Sequence, residues 1–209
     1  MNKKNNNNLN DITGVILAGG RAKRMGGQDK GLLNVNGQAM IELIIEQLSP
    51  QVDYLIINAN RHLEQYKKFT YPVISDDNSS DFHGPLAGIL SALKNCSTQY
   101  LLTIPCDSPF FPADLSTRLL STLIKENAEI CVVHDGQRMQ PVFVLIKTTL
   151  QDSLQNYLDN GDRKIDLWYK QHHTVLADLS DYSDISLNIN TPDELKNLEK
   201  KLTEYKKVC

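Results

Sequence analysis

Nowhere in the 209 residues does an apolar run approach the ~20 positions that a membrane-spanning helix needs. The chain opens MNKKNNNNLN, which lacks the apolar segment of a secretory leader. It reads instead as a low-complexity, asparagine-rich extension, expected to be disordered over residues 1–11. Cysteine is scarce: Cys96, Cys106, Cys131 and Cys209 are the full set. None falls in C-x-x-C spacing, which excludes a zinc ribbon and a thioredoxin-type redox motif. The five histidines (His62, His83, His134, His172 and His173) have no ligand spacing with Cys or Asp and read as surface or structural residues. Positive charge is not in excess either. The formal charge of −3 argues against nucleic acid as the main partner, so any basic patch must be local. What these absences leave is a reduced, cytoplasmic enzyme or binding protein, with neither membrane nor nucleic acid among its partners.

What is present is an alternation of strand-like and helix-like segments. Residues 14–19, 53–60, 71–77, 100–110, 128–135 and 141–147 are apolar runs closed by Gly, Pro or polar residues, as strands are. Between them, 39–49 places Met40, Leu43, Ile44 and Leu48 on one helical face. Residues 84–96 open with Gly-Pro, 114–127 start from a candidate Asp114 cap, and 150–161 end in Gly. Residues 186–190 are expected as a last strand. A helix follows them, opened by the capping box Thr191-Pro192-Asp193-Glu194. Strands alternating with helices predict an α/β fold, a mostly parallel sheet covered on both faces, in one domain over 12–209. Ligands of such sheets sit outside the carboxyl ends of the strands. The residues to watch are therefore Ala18, Gly19 and Gly20, then Asn58 and Asn60, Asp76 and Asp77, and Cys106 and Asp107.

The densest chemistry lies in 14-GVILAGGRAKRMGGQDKGLL-33. Glycines let backbone amides close on an oxygen, and such amides cradle phosphate. Arg21, Lys23, Arg24 and Lys30 add countercharge. The segment lacks G-x-G-x-x-G, and Lys30 is followed by Gly31, so it is neither a dinucleotide fingerprint nor a P-loop. By composition alone it is either a polyphosphate loop or a solvated basic loop. Asp107, taken alone, reads as a helix cap or turn residue in preference to a metal ligand. Cys106 reads as a small strand-end hydrophobe in preference to a metal ligand.

The segment LAGGRAKRMGGQDKGLL resembles the nucleotidyltransferase signature, and within it most the molybdenum cofactor guanylyltransferases. The resemblance continues through NANRH (58–62), GPLAG (84–88), PCDSPF (105–110), GDRK (161–164) and NINTPDEL (188–195), and so spans about residues 12–197. The asparagine-rich start is not part of the pattern. The resemblance implies a Rossmann-like nucleotidyltransferase fold with a mixed, mostly parallel sheet. It implies transfer of GMP from GTP to molybdenum-molybdopterin, giving the guanine dinucleotide cofactor and pyrophosphate, with Mg²⁺ required. It further implies molybdenum-insertion proteins and molybdoenzyme-specific chaperones as partners. Carried over residue by residue, it places Leu17, Ala18, Gly19, Lys30, Asn58, Asp76 and Asp107 on the nucleotide. Arg24, Lys30 and Asp107 are the catalytic set, with Asp107 on the metal, and Arg163, Asn188 and Asn190 face the pterin. Whether Asp76 or a backbone group reads the guanine stays open.

The residues suit that reaction. The nucleophile is a phosphate oxygen, already ionised, so no general base is needed. The difficulty is one anion attacking another, which calls for cations around the α-phosphate and the leaving pyrophosphate. Two other readings remain: a non-catalytic carrier of the cofactor, and a nucleotidyltransferase using CTP or a sugar phosphate.

Overall fold

A computed structural model of the chain describes residues 11–20, 29–76, 84–189 and 191–208. The expected extension lies outside the described residues except for Asp11, whose carboxylate accepts the Gln99 amide at 3.1 Å. In chain order the elements begin with β1 (Ile12–Leu17), a short hairpin of β2 (Asn34–Val35) and β3 (Gln38–Ala39), α1 (Met40–Leu48) and β4 (Tyr54–Asn58). Next come α2 (Leu63–Tyr66), β5 (Val73–Ile74), α3 (Pro85–Lys94), β6 (Tyr100–Pro105) and α4 (Leu115–Lys125). The chain closes with β7 (Ile130–His134), β8 (Met139–Lys147), α5 (Gln151–Asp159), α6 (Ile165–Tyr169), β9 (Thr174–Asp178) and α7 (Pro192–Val208).

Seven of the strands form one sheet among the described residues, in the order β5-β4-β1-β6-β8-β7-β9. β8 runs antiparallel to both its neighbours and the other pairings are parallel. The sheet is therefore mixed and mostly parallel. Its central strands are apolar on both sides because both sides are covered. Ile12, Ile16, Leu102 and Ile104 pack with α1 and α4, whereas Val15 and Leu101 pack with α3, α5 and α6. The expected face of α1 is the one it buries: Met40, Leu43, Ile44 and Leu48 are all in the core. Trp168 of α6 is fully buried on the opposite side.

Two local readings are corrected. Asp114 makes no side-chain cap to α4; its carboxylate instead accepts Arg118 Nε at 3.0 Å, one turn on. Residues 186–189, the described part of the expected last strand, are not a strand. A 3₁₀ turn ends at Ser186, and Ile189 donates its amide to the Asp107 carbonyl at 2.9 Å, so the segment lies across the end of β6 and joins no sheet. β9, α2 and α6 are short elements that periodicity did not mark. The capping box forms as expected: the Thr191 amide donates to Glu194 Oε2 at 2.8 Å and the Glu194 amide to Thr191 Oγ1 at 3.2 Å.

Candidate active site

Register fixes where the chain can gather side chains. Leu17 of β1 lies level with Asn58 of β4 on one side and Pro105 of β6 on the other. Three adjacent strands thus end together, and the residues after them emerge at one edge. From β1 the chain builds outward to β4 and β5, then crosses to β6 on the far side. That reversal is where open α/β sheets leave a crevice. A cavity of about 680 Å³ opens there, inside the range of small-molecule sites, about 300–1,000 Å³.

One side of the cavity is a rigid amide–carboxylate lattice. Ala18 donates its amide to the Asn58 carbonyl at 2.7 Å, which locks the start of the glycine-rich segment to β4. Asn58, itself buried, donates Nδ2 to Asp76 Oδ1 at 2.9 Å, and Asn60 donates Nδ2 to Asp76 Oδ2 at 2.8 Å. The Asp76 amide returns a bond to Asn60 Oδ1 at 2.9 Å. Both carboxylate oxygens are therefore oriented, and each keeps a lone pair for a ligand donor. The first turns of α3 close against this lattice because Gly88 has no side chain. A Cβ there would stand 2.5 Å from Asn58 Oδ1. Gly84, just before the helix, takes φ 73° and ψ −168°, a backbone conformation open to glycine alone.

The charged pair is opposite. Lys30 Nζ reaches Asp107 Oδ2 at 2.7 Å, with both side chains about one-fifth exposed. Lys30 opens a 3₁₀ turn whose cap is Asp29: Asp29 Oδ1 accepts the Gly31 amide at 3.2 Å and the Tyr66 hydroxyl at 2.5 Å. Asp107 follows β6, and the Ser108 hydroxyl bridges its Oδ1 to Asn188 Oδ1. Burial first, then the Asp107 and Asp29 carboxylates, push the Cys106 thiol far above its ordinary range. It stays protonated and behaves as the small hydrophobe expected of it.

The far wall is β8. Because that strand runs against β6, its start lies at the carboxyl edge of the sheet, and Gln140, Pro141, Val142 and Phe143 face the cavity together with Asn188. Gln140 is buried and donates Nε2 to Asp135 Oδ2 at 2.6 Å. Burial is the largest single influence on the Asp135 carboxyl and raises it, but the bonds from the Arg138 and Gln137 amides and the Gln140 carboxamide together outweigh it and hold the group below the ordinary carboxylate range.

The structure thus brings together Leu17, Ala18, Gly19, Lys30, Asn58, Asp76, Asp107 and Asn188 around one cavity. Arg24, Asp77 and Asn190 lie outside the described residues. Arg163 is placed at the end of α5, donating to the carbonyls of Leu158 and Asp162 at 2.6 Å, and does not line the cavity. Outside it too lies a Ser–His–Glu chain: Ser153 Oγ is 2.8 Å from His172 Nε2, and His172 Nδ1 is 3.6 Å from Glu129 Oε2. The Trp168 indole donates to the same Ser153 oxygen at 3.3 Å, so this chain ties α6 to α5.

The sequence pattern of the MobA-like NTP transferase domain matches residues 14–175. A molybdenum cofactor guanylyltransferase of Shewanella sediminis is 48% identical over 92% of this chain and 98% of its own length. One from Shewanella loihica is 48% identical over 90% and 95%. The chain belongs to the molybdenum cofactor guanylyltransferases. Among solved structures, molybdopterin-guanine dinucleotide biosynthesis protein A of Archaeoglobus fulgidus superposes with a TM-score of 0.75, covering 92% of this chain and 99% of that one. At 23% identity that likeness shows the shared fold.

Guanylyltransferases act on polyphosphates, and the donor set here can be tested for a divalent cation. Among the described residues no three His, Cys, Asp or Glu side chains cluster to hold a metal unaided. Three carboxylates line the cavity; Asp76 and Asp29 are engaged by Asn58, Asn60 and Tyr66, and Asp107 stands beside the Ser108 hydroxyl. One or two carboxylates completed by phosphate oxygens and water is how Mg²⁺ is usually held, so the set fits that ion in a nucleotide complex. Sequence reasoning missed Asp29, Tyr66 and the β8 wall. The wall had a signal: Asp135-Gly136 between two apolar runs is a hairpin dipeptide, and a hairpin requires β8 to be antiparallel. The Asp29–Tyr66 bond had none, being a contact between α2 and a loop 37 residues apart.

Proposed function

We propose that this cavity transfers GMP from GTP to the terminal phosphate of molybdenum-molybdopterin, releasing pyrophosphate. The observation that carries the reading is the Lys30–Asp107 pair facing across the crevice between β1 and β6, a cation and a metal-ready carboxylate within 2.7 Å. The nucleotide lies toward β1, β4 and β5. There Asp76, its oxygens fixed by Asn58 and Asn60, accepts N–H or O–H groups of the nucleoside. The backbone of Leu17–Gly19 and the opening of α3, left bare by Gly84 and Gly88, approach the nucleotide closely. Lys30 leaves Asp107 for the phosphates, countering charge on the α-phosphate and the leaving pyrophosphate. Asp107, freed of that pair, would hold Mg²⁺, which would supply positive charge against that developing on the phosphoryl oxygens. The acceptor enters along Gln140–Phe143 and Asn188, which places its phosphate on the opposite side of the α-phosphorus from the pyrophosphate. Arg24 and Asn190 complete the phosphate and pterin contacts, while Arg163, which stands off the cavity wall, would be reached only by a part of the pterin that extends beyond it. The setting is cytoplasmic, and molybdenum-insertion proteins and molybdoenzyme-specific chaperones are the partners that would deliver and collect the cofactor.

The test is pyrophosphate release from GTP, followed with and without molybdopterin. Release that depends on the pterin is expected. Tight pterin binding with no pyrophosphate formed would identify a carrier instead.

A further inference from the structure

The buried Asp29–Tyr66 pair has no part in the chemistry above, yet it sits beside it. Asp29 is 8% exposed, and Tyr66 is fully buried. Burial first, then the nearby Cys106 and Asp29, keep the Tyr66 phenol protonated far beyond its ordinary range, so its hydroxyl donates to Asp29 Oδ1. Asp29 Oδ2 is buried and has no hydrogen-bond partner among the described residues. A buried carboxylate half-satisfied in this way is costly, and such groups mark places where geometry is held for a reason. The geometry held here is the turn that begins at the next residue, Lys30. Asp29 Oδ1 gathers the Tyr66 hydroxyl and the Gly31 amide at one point, so the residues on both sides of Lys30 are tied together at an oxygen that Tyr66 anchors to α2. The fit leaves no slack: a Cβ on Gly31 would stand 2.5 Å from the Tyr66 oxygen and 3.4 Å from its nearest ring carbons.

We propose that Tyr66 and Asp29 are positioning residues that aim the Lys30 ammonium across the cavity at the nucleotide phosphates. The inference rests on the nucleotide-loop reading of Lys30 given above. Without the Tyr66 hydroxyl the turn keeps its capped amide but loses its anchor to α2. Lys30 then samples other directions, and a correctly aimed cation becomes a diffuse one.

The experiment is a double-mutant cycle read as the dissociation constant of GTP with Mg²⁺, measured by calorimetry on the full chain. The set is wild type, Lys30→Ala, Tyr66→Phe and the double variant, each checked for a native melting transition. Lys30→Ala should weaken GTP by roughly tenfold or more, the scale of one charge-assisted bond. Tyr66→Phe should weaken it several-fold. The double variant should bind no more weakly than Lys30→Ala alone, because Tyr66 acts only through Lys30. A Tyr66→Phe loss that persists undiminished in the Lys30→Ala background, or no loss at all, overturns the inference while leaving Lys30 on the nucleotide. Wild-type affinity in Lys30→Ala overturns the loop reading and the inference with it. Gly31→Ala gives a second route should Tyr66→Phe unfold: it should weaken GTP alone but not in the Lys30→Ala background, and equal losses in both backgrounds would contradict the positioning role.

Discussion

Lys30 and Asp107, 77 residues apart in sequence, meet at 2.7 Å across the mouth of the cavity. Each occupies the partner that a bound nucleotide complex would otherwise satisfy. On the proposed reading the pair holds in place two charges that a nucleotide complex would use, and binding would separate them. Removing Lys30 therefore has opposite effects on two ligands. Lys30→Ala should lower kcat/KM for GTP by about 10²–10³, the scale of losing one donor aimed at a charged transition state. The same variant should bind Mg²⁺ no more weakly than wild type, since Asp107 has lost its competitor. Parallel loss of Mg²⁺ and GTP affinity would contradict this exchange.

Asp107→Asn keeps the shape and removes the charge. The pair it breaks is partly exposed, so it should lower stability by no more than about 1 kcal/mol, a shift of roughly 2–4 °C in Tm. Guanylyl transfer should fall by about 10² or more and recover in part as Mg²⁺ is raised. If Asp107 were only a turn residue, the same preparation would show a lower Tm with near-normal turnover.

Gly88→Ala tests the lattice at the other end. Its Cβ would meet Asn58 Oδ1 at 2.5 Å and Leu17 Cδ2 at 3.1 Å. Either Asn58 turns away and releases Asp76, or α3 moves off β1. A stability loss of about 1–3 kcal/mol is expected, together with a raised KM for GTP. Unchanged KM in a folded Gly88→Ala protein would show that Asp76 needs no support from Asn58.

The cysteines predict a labelling pattern. Burial first, then the Asp107 and Asp29 carboxylates, raise the Cys106 thiol, and burial pushes the Cys131 thiol up to about 12. Neither carries thiolate near neutral pH, so iodoacetamide at pH 8 should leave both unmodified in the native protein. Peptide mapping after alkylation checks this, and rapid labelling of Cys106 would contradict its buried placement.

The parts of the fold that came through in the sequence were those set by local physics. The run 14–19 is apolar at every position except its glycines, as a strand covered on both faces must be, and Met40, Leu43, Ile44 and Leu48 repeat at helical spacing. Strand-end logic then reached Asn58, Asp76 and Asp107 without knowledge of any contact. The residues it did not reach depend on the direction of a strand or on distant pairing. β8 lines the site because it is reversed, and its hairpin dipeptide was passed over. Residues 186–190 look like a strand, but 186–189 pair with no strand, and the Ile189 amide bonds instead to the Asp107 carbonyl. Tyr66 sits four residues past Arg61-His62 on a single helical turn, and nothing in its neighbours signals the Asp29 carboxylate that it holds.

Nucleotide choice tests the central claim most directly. GTP, CTP and ATP at equal concentration are offered together with molybdenum-molybdopterin and Mg²⁺, and the dinucleotide product is weighed by mass spectrometry. A guanylyltransferase site yields the guanine dinucleotide as the dominant product, with one pyrophosphate released for each molecule formed. Equal incorporation of CMP and GMP, or pterin recovered without any nucleotide attached, would contradict the account.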